Sequence, residues 1–215
     1  MSFSSAQSGR LVLELTLISR GKWAISRRRS LAWLGTAAGT LLHRQAFALE
    51  PEVPIPLQVS LLDRVIPFDR NFHLRAIGHL SMAVVVDERD GDSVRIGAQL
   101  LNELSARESL GNYRVSATRV AFKSTAALIE DCRRLKAGVV YVTPGIAEAT
   151  PKLAAGLRGM RVLTVGSLPE QVPQGLVLGS AVRSGKPRVL VNLSEARQQE
   201  IDFRADFLRM AEVVG

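Results

Sequence analysis

Leu80-Ser81-Met82-Ala83-Val84-Val85-Val86 is a short apolar run, closed by the polar stretch Asp87-Glu88-Arg89-Asp90-Gly91-Asp92. A brief β-branched run bounded by turn-forming residues reads as a strand buried on both faces. Gly138-Val139-Val140-Tyr141-Val142 and Arg161-Val162-Leu163-Thr164-Val165 repeat the pattern. Helical spacing separates the three runs. Ile96, Leu100, Leu101 and Leu104 share one face of a helix over residues 93–107. Ser124 suits the N-cap of a helix over 125–136, and a third helix runs from Thr143-Pro144-Gly145 to Arg158-Gly159. Apolar strands alternating with helices predict a parallel sheet covered on both faces, with right-handed crossovers. The expected fold class is α/β, a three-layer sandwich.

The flanks extend this unit. Leu57, Leu61, Leu62, Val65 and Ile66 give helical spacing over 57–68, and residues 113–122 alternate as a strand would. Residues 176–182 and 187–193, joined by Arg183-Ser184-Gly185-Lys186, read as an antiparallel hairpin with a Ser-Gly turn. Ser194 is expected to cap a closing helix over 195–213. Three prolines in residues 49–56 mark an extended spacer, so residues 57–215 form one predicted domain. Cys132 is the only cysteine, which excludes an intramolecular disulfide. Its place in an apolar-patterned helix predicts a buried structural thiol.

Residues 1–48 read as an export signal. Arg27, Arg28 and Arg29 precede a weakly apolar run, Leu31 to Leu42, and Ala46 and Ala48 form a small-x-small cleavage site. Twelve residues are too few to span a bilayer, which takes about 17–25. Paired Arg27 and Arg28 with Leu31 resemble the twin-arginine class of signals, although Ser30 replaces the usual Phe and the leading region is long. A start codon set too early would account for that length. A cytosolic chain with a basic arm, and a membrane anchor through an uncleaved signal, are the alternatives. The signal changes the meaning of the charge. The chain carries a formal +8, but residues 1–48 hold seven of its 28 bases and one of its 20 acids. The remaining 167 residues are nearly neutral at +2. No basic face remains for a phosphate backbone, so nucleic acid is not an expected partner.

The C-terminal third carries a recognisable pattern. Arg161-Val162-Leu163-Thr164-Val165-Gly166 is followed by Gly175-Leu176-Val177-Leu178-Gly179, then by Arg188-Val189-Leu190-Val191-Asn192-Leu193-Ser194-Glu195-Ala196-Arg197. It ends in Phe203-Arg204-Ala205-Asp206-Phe207-Leu208-Arg209-Met210-Ala211. This resembles the YfiR-like family of small exported bacterial proteins over about residues 57–213. The resemblance implies a periplasmic, non-enzymatic regulator that binds a membrane diguanylate cyclase and holds cyclic di-GMP output low. A homodimer is compatible with it. The family's redox sensing through disulfides departs here, because Cys132 stands alone.

Catalytic patterns are scarce, and no enzyme, metal or cofactor is expected. His73 and His79 lie six residues apart, which suits no helical metal pair. Asp87, Asp90 and Asp92 lack the spacing and downstream Glu of a calcium loop. In open parallel sheets ligands sit beyond the carboxyl ends of the strands, which nominates Thr143, Gly145 and Ser167 as contacts. Plain turn chemistry is the simpler account of them. Asp69, Arg70 and Asn71 suit either a partner-facing patch or a helix stop with Asn71 left-handed. The leading expectation is a regulator of a membrane signalling protein. A single-lobe solute-binding accessory of a transport system is the alternative.

Overall fold

The computed structural model describes residues 53–215. The expected signal residues Arg27, Arg28, Leu31, Ala46 and Ala48 lie outside them. Eight strands form one mixed sheet in the order β2-β3-β1-β4-β5-β6-β7-β8. Strands β1 (Leu80–Val86), β3 (Tyr113–Ala121), β4 (Val139–Val142), β5 (Leu163–Gly166) and β6 (Leu178–Arg183) pair in parallel. Antiparallel pairs add β2 (Ser109–Leu110) beside β3 and β7 (Lys186–Val191) beside β6.

The opening run explains the layering. All seven residues of β1 are buried, and they divide by parity. Met82, Val84 and Val86 enter one core, while Ala83 and Val85 enter the other. Successive strand side chains point to opposite faces, so a strand between two helical layers must be apolar throughout. On the first face lie α1 (Ile55–Val65) and α2 (Gly91–Ser105), burying Ile55, Val59, Leu62, Ile96 and Leu100. On the second lie α3 (Thr125–Leu135) and α4 (Thr150–Leu157), burying Leu128, Cys132, Leu153 and Leu157. A side chain at Gly97 would strike Val86 at 2.5 Å, so only glycine lets α2 approach β1 this closely.

Local signals account for most boundaries. Asp90 accepts a hydrogen bond from the Ser93 N–H at 2.6 Å and Ser124 accepts one from Ala127 at 3.2 Å, so both helices begin at a side-chain cap. Asp90 is thus spent as a cap. The hairpin turn is Ser184-Gly185, with φ of 51° and 73°, the left-handed pair that suits the twist of two flanking strands.

Three expectations change. The spacer is shorter than residues 49–56, because α1 starts at Ile55 and Val53 is buried. Pro56 stands in the first turn, where a missing N–H costs nothing. Residues 144–149 form a 3-10 helix before α4, in place of one continuous helix. The closing helix over 195–213 is absent. Asn192, rather than Ser194, caps α5 (Leu193–Gln198) by accepting from the Glu195 N–H at 3.1 Å. The chain leaves the helix at Glu200, which is left-handed at φ 55°. Ile201 and Phe203 then point inward from an extended segment, and a short helix α6 (Ala205–Leu208) leads to β8 (Glu212–Val213) beside β7. Buried residues alternating at 201 and 203 are a period of two, which no helix can bury on one face.

Candidate functional site

The carboxyl ends of the parallel strands, where this fold class takes a ligand, are filled by the chain itself. Thr143 is fully buried, and its hydroxyl donates to the Val85 carbonyl at 2.7 Å and pairs with Ser93. The Ser93 hydroxyl oxygen also accepts from the Asp87 N–H at 2.8 Å. Gln171 reaches across the gap, donating to the Thr143 carbonyl at 3.1 Å and accepting from the Leu168 N–H at 3.0 Å. Gln58 of α1 completes the seal. Its amide donates to the carbonyls of Val53 at 2.8 Å and Ser167 at 3.2 Å, and its oxygen accepts from the Tyr141 hydroxyl at 2.8 Å. Burial pushes the Tyr141 hydroxyl far above its ordinary pKa, so it stays a donor. Gly145 packs against Asp90, and a Cβ there would meet it at 2.7 Å. Of the nominated residues, Thr143 and Ser167 are together here but spent on internal partners.

Asp69, Arg70 and Asn71 form a staple to the C-terminal segment. Asp69 and Arg75 make a fully buried ion pair at 2.8 Å. The second Asp69 oxygen accepts from the N–H groups of Asn71 and Asp202, each at 3.0 Å. Asp69 therefore has no surface to offer a partner. Burial lowers the Arg75 pKa while Asp69 opposes the shift. Arg70 pairs with Asp202 at the surface at 3.0 Å, and the Asn71 amide donates to the Glu200 carbonyl at 3.0 Å. Asn71 has φ of −97°, so the left-handed cap does not form.

An open groove lies beside this staple, between α1, β7 and α6. It encloses about 500 Å³ over Leu61, Val65, Phe68, Val189, Phe207 and Met210. Phe68 stacks on Phe207 at 5.4 Å between ring centres, and the Arg204 guanidinium lies over Phe68 at 5.4 Å. Met210 is 57% exposed, too open to be held there by packing alone. Arg64 and Arg188 flank the apolar floor and form no ion pair among the described residues. The sequence carried a faint signal of this groove. Leu57 and Leu61 stand off the buried stripe of Ile55, Val59 and Leu62, giving α1 more apolar residues than one core-facing side uses.

The comparisons with known proteins can now be set beside this geometry. A family model described as YfiR/HmsC-like matches residues 82–212. The chain belongs to the YfiR/HmsC-like family. No curated protein matches the sequence. Three solved structures share the fold at low identity. An ABC domain in complex with L-Trp from Streptococcus pneumonia superposes with a TM-score of 0.54 at 12% identity, over 75% of this chain and 62% of that one. The open, ligand-free substrate binding protein CD0873 of Clostridium difficile gives 0.51 and 11%, over 67% and 57%. A conserved domain protein of Vibrio cholerae O1 biovar eltor gives 0.55 and 13%, over 75% and 60%. This chain thus spans about 57–62% of the length of the solved structures it matches. Identities this low establish the α/β fold and nothing finer.

Within this YfiR/HmsC-like fold, Cys132 is buried in the second core, where desolvation pushes its pKa up to about 11. A thiol held neutral is a poor nucleophile, as expected of a structural cysteine. His73 and His79 are both exposed. Among the described residues, no helix is long and apolar enough to cross a membrane.

Proposed function

We propose that this protein is a periplasmic regulator that docks on the extracytoplasmic part of a membrane signalling protein, a diguanylate cyclase, and holds its output low. The groove of Leu61, Phe68, Phe207 and Met210 carries this reading. An exposed apolar floor beside Arg64 and Arg188, neither in an ion pair among the described residues, suits a protein segment that brings bulky apolar side chains and carboxylates together. Family membership supports the same reading. The sealed strand ends weigh against a single-lobe solute-binding accessory of a transport system, because Gln58, Ser93, Thr143 and Gln171 there are spent on internal partners.

Cyclic di-GMP in cells lacking the protein tests the proposal. Deletion is expected to raise the nucleotide, and the wild-type gene to lower it again. A Met210→Asp chain, which places a carboxylate among the partner's apolar and acidic groups, is expected to fail in that rescue. Unchanged cyclic di-GMP on deletion, or full rescue by Met210→Asp, would contradict the reading.

A further inference from the structure

At the opposite, amino-terminal ends of the strands lies a second pocket, of about 290 Å³. Three chain connections form it: the loop before β1, the link from α3 to β4, and the link from α4 to β5. Leu74, Ile77 and Met160 supply apolar walls, and Arg133, Lys136 and Arg161 supply charge. We propose that this pocket binds a small amphipathic carboxylate, with the carboxylate held by Arg133 and Lys136 and the hydrocarbon body laid on Leu74, Ile77 and Met160.

Three observations converge on it. First, Ile77 is 84% exposed and Leu74 is 47% exposed, so neither is held in place by the core. Apolar side chains standing in water beside a cleft are what a bound hydrocarbon would cover. Second, Arg133 and Lys136 form no ion pair among the described residues, whereas neighbouring Arg134 pairs with Asp131 at 2.6 Å and Arg161 with Glu200 at 2.8 Å. Third, Lys136 and Arg161 both adopt left-handed backbone, with φ of 49° and 59°. Lys136 sits where a helix end favours glycine. Arg133 and Arg134 already complement the helix end, so Lys136 adds a further cation beside the pocket at the cost of a strained backbone.

The size limits the ligand. At about 290 Å³ the pocket lies at the small end of ligand sites, which suits an acid with a chain of roughly eight carbons. This site is separate from the α1–β7 groove, and its test does not depend on a signalling partner.

Titration calorimetry of the whole chain with sodium octanoate, octanol and inorganic phosphate tests the proposal. Octanoate is expected to bind saturably, one per chain, and at least about tenfold more tightly than either control. Lys136→Gly removes the cation and relieves the backbone, so octanoate affinity should fall at least about tenfold while Tm holds or rises. Arg133→Gln, which leaves the backbone alone, should weaken binding similarly, and its result decides alone if Lys136→Gly proves less stable. Lys123→Ala, at the far end of the strands, should bind as the wild type does. No saturable octanoate binding, octanol or phosphate binding as tightly, or wild-type affinity in Arg133→Gln would each overturn the site.

Discussion

The two ends of the parallel strands are built from opposite chemistry. At the carboxyl ends, Gln58, Ser93, Thr143, Ser167 and Gln171 satisfy one another and the nearby backbone in a closed network. At the amino ends, Arg133 and Lys136 carry unspent charge beside exposed Ile77 and Leu74. Closed polar networks hold a fold in one arrangement, whereas unspent donors and exposed apolar walls remain available to other molecules. The end that serves as the ligand site in many related architectures is here structural. The surfaces with capacity left over are the opposite end and the groove flanking β7.

The largest effect expected is on the staple that joins the two. Asp69→Ala leaves the Arg75 guanidinium buried and uncompensated, and breaking such a pair costs about 3–5 kcal/mol. Urea denaturation should show that loss. A loss under about 1 kcal/mol would mean that Arg75 is not held in the buried arrangement described here. Second comes the seal at the carboxyl ends. Gln58→Ala strands the Tyr141 hydroxyl in the core, for a loss of about 1–3 kcal/mol. Adding Tyr141→Phe to Gln58→Ala should recover part of it, and a double-mutant cycle reads the coupling. Additive losses would show that the network is not closed.

A third test turns on pH. The folded state holds the Cys132 thiol protonated up to about 11, against 9.0 for the free group. Because the folded pKa is raised, this contribution to stability is fully present below pH 9 and is lost as pH rises through 11. Wild-type stability should therefore fall more steeply over that interval than that of Cys132→Ala. Parallel curves would place the thiol in contact with water. The smallest effect is on the groove, where Met210→Asp lies on the surface and should change stability by no more than about 0.5 kcal/mol.

The comparison also explains what was legible in the sequence. Strands β1, β4 and β5 announce themselves because burial on two faces forces an unbroken apolar run, as in Ala83-Val84-Val85-Val86. The hairpin is equally plain, since Ser184-Gly185 can adopt two left-handed residues in succession. Thr143 and Ser167 stand at the strand ends, but a sequence cannot tell whether a hydroxyl faces a ligand or, as in Thr143, a backbone carbonyl 58 residues away. Asp69 misleads for the same reason. A carboxylate after a helix reads as surface until its partners, Arg75 and the Asp202 N–H, fold over it. The closing helix fails because the segment changes period: Ile201 and Phe203 bury two apart from an extended stretch, and only Phe207 belongs to the short helix that follows.

The central claim, the proposal that the protein acts as a regulator through the α1–β7 groove, is most directly tested by site-specific photo-crosslinking in intact cells. A photoreactive residue at position 210 should capture a membrane protein bearing a cyclase domain, identified by mass spectrometry, while one at position 123 should not. Capture of that protein from position 123 and not 210, or of transport subunits alone, would contradict the account.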